Sequence, residues 1–172
     1  MINFILKKNN PIENYSVSLK DAIIFREQAR QNNKTFVLTN GCFDLLHSGH
    51  VHSLIEASKL GDYLWVALNS DSSIKKLKGE SRPIISEQER AFIITNLQCV
   101  SGVTIFNSKR LDNEIILLKP DVYAKSGDYN PSNIAIEEQQ ALRTVKSKIE
   151  FVSFLPEIST TALINKIVTT CK

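Results

Sequence analysis

The stretch TNGCFDLLHSGHVHSL, residues 39–54, holds all three histidines of the 172-residue chain, two of its six glycines and one of its three cysteines. Three chemistries could use such a set: a histidine-ligated metal, a Cys42 nucleophile with a histidine base, or a cradle for phosphates. Zinc fits poorly, because helical spacing throws His52 onto another face than His47 and His50, and catalytic zinc wants three converging ligands. The cysteine reading lacks an orienting third group and the sequence signals of cysteine enzymes. Phosphate binding fits position as well as type. An HxGH that opens a helix sets His47 and His50 beside free N–H groups and the positive end of the helix dipole. Gly41 and Gly49 then let an anion approach the main chain. A lone histidine here would be an ordinary core or surface residue, whereas two in HxGH after a glycine-bearing strand exit point to phosphate.

Phosphate chemistry also suits what is missing. A phosphate that attacks another phosphate is already ionised near neutral pH, its second pKa being roughly 6, so no general base is required. Charge neutralisation, in-line positioning and a metal ion on the leaving pyrophosphate are enough.

Those residues must be positioned by flanking elements, and the apolar pattern supplies them. SLKDAIIFREQARQNNK predicts a helix capped by Ser18, with Leu19, Ala22, Ile23 and Ala29 along one face, after a polar lead over residues 1–17. TFVLT reads as a buried strand, and residues 49–59 as a helix with Val51, Leu54 and Ile55 inward, closed by Gly61. Further strands are expected at YLWVALN, GVTIF, DVYAK and IEFVSF, and further helices at SEQERAFIITNL (capping box Ser86/Glu89), LDNEIILLK before Pro120, NIAIEEQQALRTVK and STTALINKIV. Lys75 and Lys78 fall in what reads as a charged loop. The alternation predicts one α/β domain over 18–172, a doubly wound, Rossmann-like parallel sheet of about five strands, which binds ligands beyond the carboxyl ends of its strands.

Composition narrows the class. Twenty-one basic against eighteen acidic residues give a net charge of +3 without charge blocks, a mild pull on anions and no nucleic-acid footprint. No apolar run approaches a membrane span and no signal peptide is visible, so a cytoplasmic protein is expected. Cys42, Cys99 and Cys171 have no CxxC spacing and read as reduced thiols.

GCFDLLHSGH resembles the GxFDxxHxGH signature of the HxGH nucleotidylyltransferases. TNGCFDLLHSGH, LGDYLWVALNSD, LKGESRP, KSGDY and ISTT, in this order between about Ser18 and Val168, resemble the sugar-phosphate adenylyltransferases that make ADP-heptose. The resemblance implies the reaction of ATP with D-glycero-β-D-manno-heptose 1-phosphate, with Mg²⁺, to give ADP-heptose and pyrophosphate for lipopolysaccharide core synthesis. It also implies a homodimer and, in the absence of a kinase domain, a separate sugar kinase and phosphatase.

By the same resemblance His47 and His50 hold the nucleotide phosphates and stabilise charge at the α-phosphate, with Lys78 reaching the triphosphate or the sugar phosphate. Gly41, Cys42, Phe43, Asp44 and Gly49 shape the nucleotide pocket, Arg90 is a further phosphate-side cation, and Ser159, Thr160 and Thr161 bind triphosphate oxygens. Lys75 is the weaker candidate for the phosphate contact given to Lys78, on the substrate, and Lys125, Gly127 and Asp128 lie near the base or the acceptor sugar. No metal ligand among the side chains is implied.

Plainer roles compete with these. Lys75 and Lys78 could be solvated, Arg90 could pair with Glu87 or Glu89, Ser159–Thr161 could only cap a helix, and Asp44 could only order its turn. His52 reads as structural and Trp65 as core. Two departures bear on substrate: Ser126 stands where the family has a glycine before Gly127, and Pro156 and Glu157 replace a glycine-containing turn before ISTT. A cytidylyltransferase acting on glycerol 3-phosphate, or a similar small alcohol phosphate, is the alternative within the same mechanism. A nucleotide-binding module without chemistry would have lost the histidines or the cationic residues.

Overall fold

The computed structural model describes residues 15–126, 134–153, 155 and 158–171. Five strands, β1 (Phe36–Gly41), β2 (Tyr63–Asn69), β3 (Gly102–Phe106), β4 (Val122–Ser126) and β5 (Lys148–Val152), form one sheet in the order β3-β2-β1-β4-β5. Every pairing is parallel. The chain winds outward from β1 to β3, then returns to place β4 on the other side of β1, so the strand order reverses between β1 and β4. This is the doubly wound topology expected from the alternation of strand and helix.

Period two divides each inner strand between two cores. Phe36, Leu38, Trp65 and Ala67 face one side, where α1 (Leu19–Gln31), α5 (Asp112–Leu118) and α6 (Ile136–Val145) bring Phe25, Ile115 and Leu142. Val37, Leu64, Val66 and Leu68 face the other, where α2 (Ser48–Ser58) and α4 (Glu87–Thr95) bring Leu54, Ala57, Ala91 and Ile94. Trp65 is core, as its strand position predicts, and its indole N–H donates to Thr104 Oγ1 at 2.9 Å. Gly102 is required beside it, since a Cβ there would lie 2.5 Å from the indole ring.

Local signals set most helix starts. Ser18 Oγ accepts from Asp21 N at 3.1 Å at the head of α1, and Ser86 with Glu89 forms the capping box of α4. The inward face of α1 is Ala22, Phe25, Arg26 and Ala29, with Leu19 and Ile23 at its margin. In α2 the expected face is rotated: Leu54 and Ala57 are buried, but Ile55 is 42% exposed. Leu54 and Ala57 lie one turn apart, and a neighbour of Leu54 points about 100° away from that seam.

The larger difference is α3 (Asp71–Lys78), where a charged loop was expected. Ser70 caps it by accepting from Ser73 N at 3.2 Å, and Asp71 in the first turn and Lys75, Lys76 and Lys78 in the last complement its dipole. Only Ser73 and Ile74 are buried, too sparse an apolar period to read as a helix. Gly79, at φ +95°, ends it.

The described end of the lead already docks on the domain: Val17 N donates to Val103 O at 2.7 Å and Tyr15 packs edge-on against Phe92. The remaining helix, α7 (Thr160–Thr170), has no buried residue. His52 holds to its structural reading, with Nε2 3.1 Å from Ser153 Oγ. Among the described residues no helix is long and apolar enough to cross a membrane.

Candidate active site

At the end of β1 the chain reverses through Phe43 (φ 48°) and Leu45 (φ 50°), left-handed conformations uncommon for such side chains. Between them Asp44 is 1% exposed. Its carboxylate accepts from Arg82 Nε at 2.6 Å, Ile84 N at 3.0 Å and Ile85 N at 3.3 Å. Its carbonyl accepts from Thr160 Oγ1 at 2.8 Å. One residue therefore ties the α3–α4 connection and the start of α7 to the strand exit. Asp44 itself lines neither cavity at this sheet edge, and reaches the second through Arg82 and Thr160, which do.

His47 is the N-cap of α2, its Nδ1 accepting from His50 N at 3.4 Å. An accepting Nδ1 puts the proton of the neutral ring on Nε2. The two imidazoles stack at 3.7 Å with 20° between their planes. Burial, then His47 and Lys78, press the pKa of His50 to about 4, and burial lowers that of His47. Both rings are thus neutral donors in the free site near pH 7. His50 Nδ1 is buried with no hydrogen-bond partner among the described residues.

Two adjoining cavities open here, at the carboxyl ends of β1 and β4 where the strand order reverses, the place at which doubly wound sheets bind ligands. The first, of about 470 Å³, is lined by Gly41 at the end of β1, by Cys42 and Phe43 after it and by Lys125 on β4. The second, of about 590 Å³, is lined by His47, Gly49 and, at the head of α7, Ser159, Thr160 and Thr161. His50, Ser53, Lys78 and Ser126 border both. A Cβ on Gly49 would come 3.1 Å from the His47 ring and 3.3 Å from Ile158 O, so glycine keeps the histidine close to α7. Ser159 Oγ accepts from Ala162 N, a genuine cap, while the following threonines border the cavity.

Lys78 lies at the shared border, whereas Lys75 lines neither cavity and its ammonium stands 3.9 Å from Glu80. Arg90 is fully buried beneath the site. It donates to Ile85 O, Cys42 O and Asn69 O and pairs with Asp71 at 2.7 Å, so the expected phosphate-side cation is an internal brace. Nor does the plainer alternative of a pair with Glu87 or Glu89 form: Glu87 accepts from Asp71 N, and Glu89 serves the cap. Burial raises the Cys42 pKa, which leaves a thiol unsuited to nucleophilic attack near neutral pH. Lys125 is buried on the floor, donating to Asn40 Oδ1 at 2.7 Å with Glu138 at 3.7 Å, and burial lowers its pKa. The Ser126 hydroxyl shares a hydrogen bond with Ser53 across the border between the cavities. Gly127, Asp128, Pro156 and Glu157 lie outside the described residues.

Sequence reasoning missed Arg82, Lys109 and Arg110, which border these cavities. Lys109 and Arg110 follow β3 closely, so a search for cations just past each predicted strand would have found them. Arg82 lies inside LKGESRP, where Lys78 drew the attention. Among the described residues no group of three or more His, Cys, Asp or Glu is placed to hold a metal.

The cytidylyltransferase-like family profile matches residues 38–166, which span the turn, both histidines, the shared border and the head of α7. The chain belongs to the cytidylyltransferase-like family. It is therefore a nucleotidyltransferase by class. The bifunctional protein HldE of Syntrophotalea carbinolica is 43% identical over 150 residues, covering 87% of this chain and 30% of that protein. The HldE of Pelobacter propionicus is 46% identical over 145 residues, covering 84% and 29%. The HldE of Helicobacter pylori strain G27 is 44% identical over 146 residues, covering 84% and 30%. This chain thus spans less than a third of the length of these curated relatives. A crystal structure of the lipopolysaccharide core biosynthesis protein from Thermoplasma volcanium shares the fold, with a TM-score of 0.58 and 27% identity over 71% of this chain and 97% of that one.

Proposed function

We propose that this chain transfers a nucleoside monophosphate from a nucleoside triphosphate to a sugar 1-phosphate, and that its substrates are ATP and D-glycero-β-D-manno-heptose 1-phosphate. The products are ADP-heptose and pyrophosphate, destined for lipopolysaccharide core synthesis. The observation that carries this reading is the pair of cavities meeting at His50, Ser53, Lys78 and Ser126, with His47 bordering only the second. Two phosphorylated reactants can lie end to end with the reacting phosphates at that border. The order of the motif blocks, identities of 43–46% to the HldE proteins and the lipopolysaccharide neighbour support the substrate choice.

The triphosphate occupies the second cavity. N–H groups of the first turns of α2 and α7 and the hydroxyls of Thr160 and Thr161 receive its oxygens. The acceptor lies in the first cavity over Lys125. An oxygen of its phosphate attacks the α-phosphorus, the bond to the β-phosphate oxygen breaks, and pyrophosphate leaves. His47 and His50 donate to the α-phosphate as charge builds, and the anions raise their pKa values from the depressed values of the free site. Lys78 neutralises both partners.

Mg²⁺ would be brought by the triphosphate rather than by side chains of this chain. Among the described residues no carboxylate lines the second cavity, and Glu138, the one lining the first, is engaged by Lys125 and Tyr123. These residues fit a metal held by phosphate oxygens and water, which when bound neutralises charge on the leaving pyrophosphate. The reading extends to a cytoplasmic homodimer with a catalytic domain over 18–172, behind the lead at 1–17, its sugar 1-phosphate supplied by kinase and phosphatase activities.

A second reading, CTP with glycerol 3-phosphate, is favoured by Ser126, whose side chain occupies the border where the resemblance implies bare backbone. Pyrophosphate release with Mg²⁺ decides, with ATP and CTP each paired with heptose 1-phosphate and with glycerol 3-phosphate. Release only with ATP and the heptose is expected. Release only with CTP and glycerol 3-phosphate replaces the substrates and keeps the mechanism.

A further inference from the structure

We propose that Arg82 binds the β- and γ-phosphates of the nucleotide, and that Asp44 is the positioning residue that holds it there. The proposal rests on the nucleotidyl-transfer reading and adds a cation to which the resemblance gave no role. Gly79 to Ser86 connects α3 to α4, where an arginine would ordinarily extend into water. Arg82 instead has a side chain only 12% exposed, paired with a carboxylate at 1%. Burying such a pair costs desolvation on both sides and is weak evidence for stability, so its location calls for another reason.

The bonding geometry supplies one. Nε donates to Asp44 Oδ2 at 2.6 Å, and Nη2 crowds the same oxygen at 2.6 Å. Nη2 is thereby Asp44's ion-pair partner and is itself enclosed, and of the guanidinium's five N–H groups the carboxylate faces only the Nε–Nη2 edge. Asp44 thus fixes the guanidinium plane without using all of its donors. The same carboxylate accepts from Ile84 N and Ile85 N, so it anchors the backbone after Arg82 as well as the side chain.

Position identifies the ligand. Arg82 borders the second cavity and not the first, on the side where Ser159, Thr160 and Thr161 open α7. His50 and Lys78 border both cavities and mark the reacting phosphates, so Arg82 belongs to the leaving end of the triphosphate. A planar fork of donors is suited to two adjacent phosphate oxygens in a way that an ammonium is not. Through its carbonyl Asp44 also receives Thr160 Oγ1, and so places a second group on that cavity.

The test is titration of ATP, AMP and tripolyphosphate, each with Mg²⁺, into wild type, Arg82→Ala, Arg82→Lys, Asp44→Asn and the Arg82→Ala/Asp44→Asn double variant, with circular dichroism to establish folding. Arg82→Ala should weaken ATP and tripolyphosphate by about tenfold or more and leave AMP unchanged, the scale of a charge-assisted hydrogen bond. Arg82→Lys should recover part of the loss. Asp44→Asn should reproduce the loss and add little in the double variant. In turnover the KM for the nucleotide should rise while that for the acceptor stays. Equal weakening of ATP and AMP, or none, overturns the role of Arg82. Additive losses in the double variant overturn the route through Asp44. Should Asp44→Asn fail to fold, the two Arg82 variants still decide the phosphate assignment. Wild type that binds tripolyphosphate through Arg82 but releases no pyrophosphate with any of the four substrate pairs would sink the substrate reading and leave this site standing. Wild type that binds neither ATP nor tripolyphosphate overturns it.

Discussion

At the scale of single residues, neutrality of the two histidines in the free site is the property with most consequence. His47→Ala or His50→Ala should lower turnover by ~10²-fold or more in a folded protein, as removal of one transition-state donor does. Turnover within a few-fold of wild type would remove both from the chemistry. The depressed pKa of His50 also sets a stability window. With about 4 in the folded site against 6.5 unfolded, the unfolded chain binds more protons between those values, so acid favours unfolding there. The contribution is present above pH 6.5 and fades as pH falls toward 4. Denaturant melts across that window should show a shallower pH slope for His50→Gln than for wild type, and identical slopes would contradict the burial argument. Arg90 differs in kind. Its removal strands three carbonyls, those of Cys42, Ile85 and Asn69, and the Asp71 carboxylate, so Arg90→Ala should cost about 3 kcal/mol or more in urea melts. Unchanged stability with lost nucleotide affinity would restore its expected phosphate role.

Helices α2 and α7 offer their N-termini to the second cavity, yet they are anchored differently. Leu54 and Ala57 root α2 in the core, whereas α7 has no fully buried residue and is joined to the strand exit by the Thr160–Asp44 bond. An element with so little buried surface opens at low free-energy cost. Amide exchange over 160–170 should therefore be fast in the free protein and slow several-fold on addition of ATP with Mg²⁺, while the β1 and β2 amides change little. Exchange in α7 that ignores the nucleotide would detach its first turn from the binding site. The helices differ equally in how legible they are. Those of α1 and α4 carry caps followed by apolar period, but α3 is held by Ser70, Ile74 and the charge order along its axis, and a single buried aliphatic gives no period to detect.

For the whole molecule, the proposed reaction takes its metal with the nucleotide, and no group of three or more His, Cys, Asp or Glu among the described residues is placed to hold one. A chelator should abolish pyrophosphate release yet leave the melting temperature of the nucleotide-free protein unchanged, because a metal stabilises only the state that binds it. A lowered melting temperature would reveal a protein-held metal. The strand alternation, the HxGH helix start and the helix-opening STT were determined by sequence alone, since each depends on residues within a few positions of one another. The expectation of a ligand site at the carboxyl ends of the strands has the same source, the rule that ligands gather where parallel strands end and their order reverses, and the two cavities open at that edge. Tertiary structure alone decided which charged side chains reach that site. Lys75 and Lys78 share the last turn of one helix, yet only Lys78 borders the cavities. Arg90 lies under the floor, and Arg82 is brought to the wall by a carboxylate 38 positions earlier in the chain. Long cationic side chains carry no period and reach several ångströms in any direction, so their partners are fixed by packing between distant segments and leave no local trace.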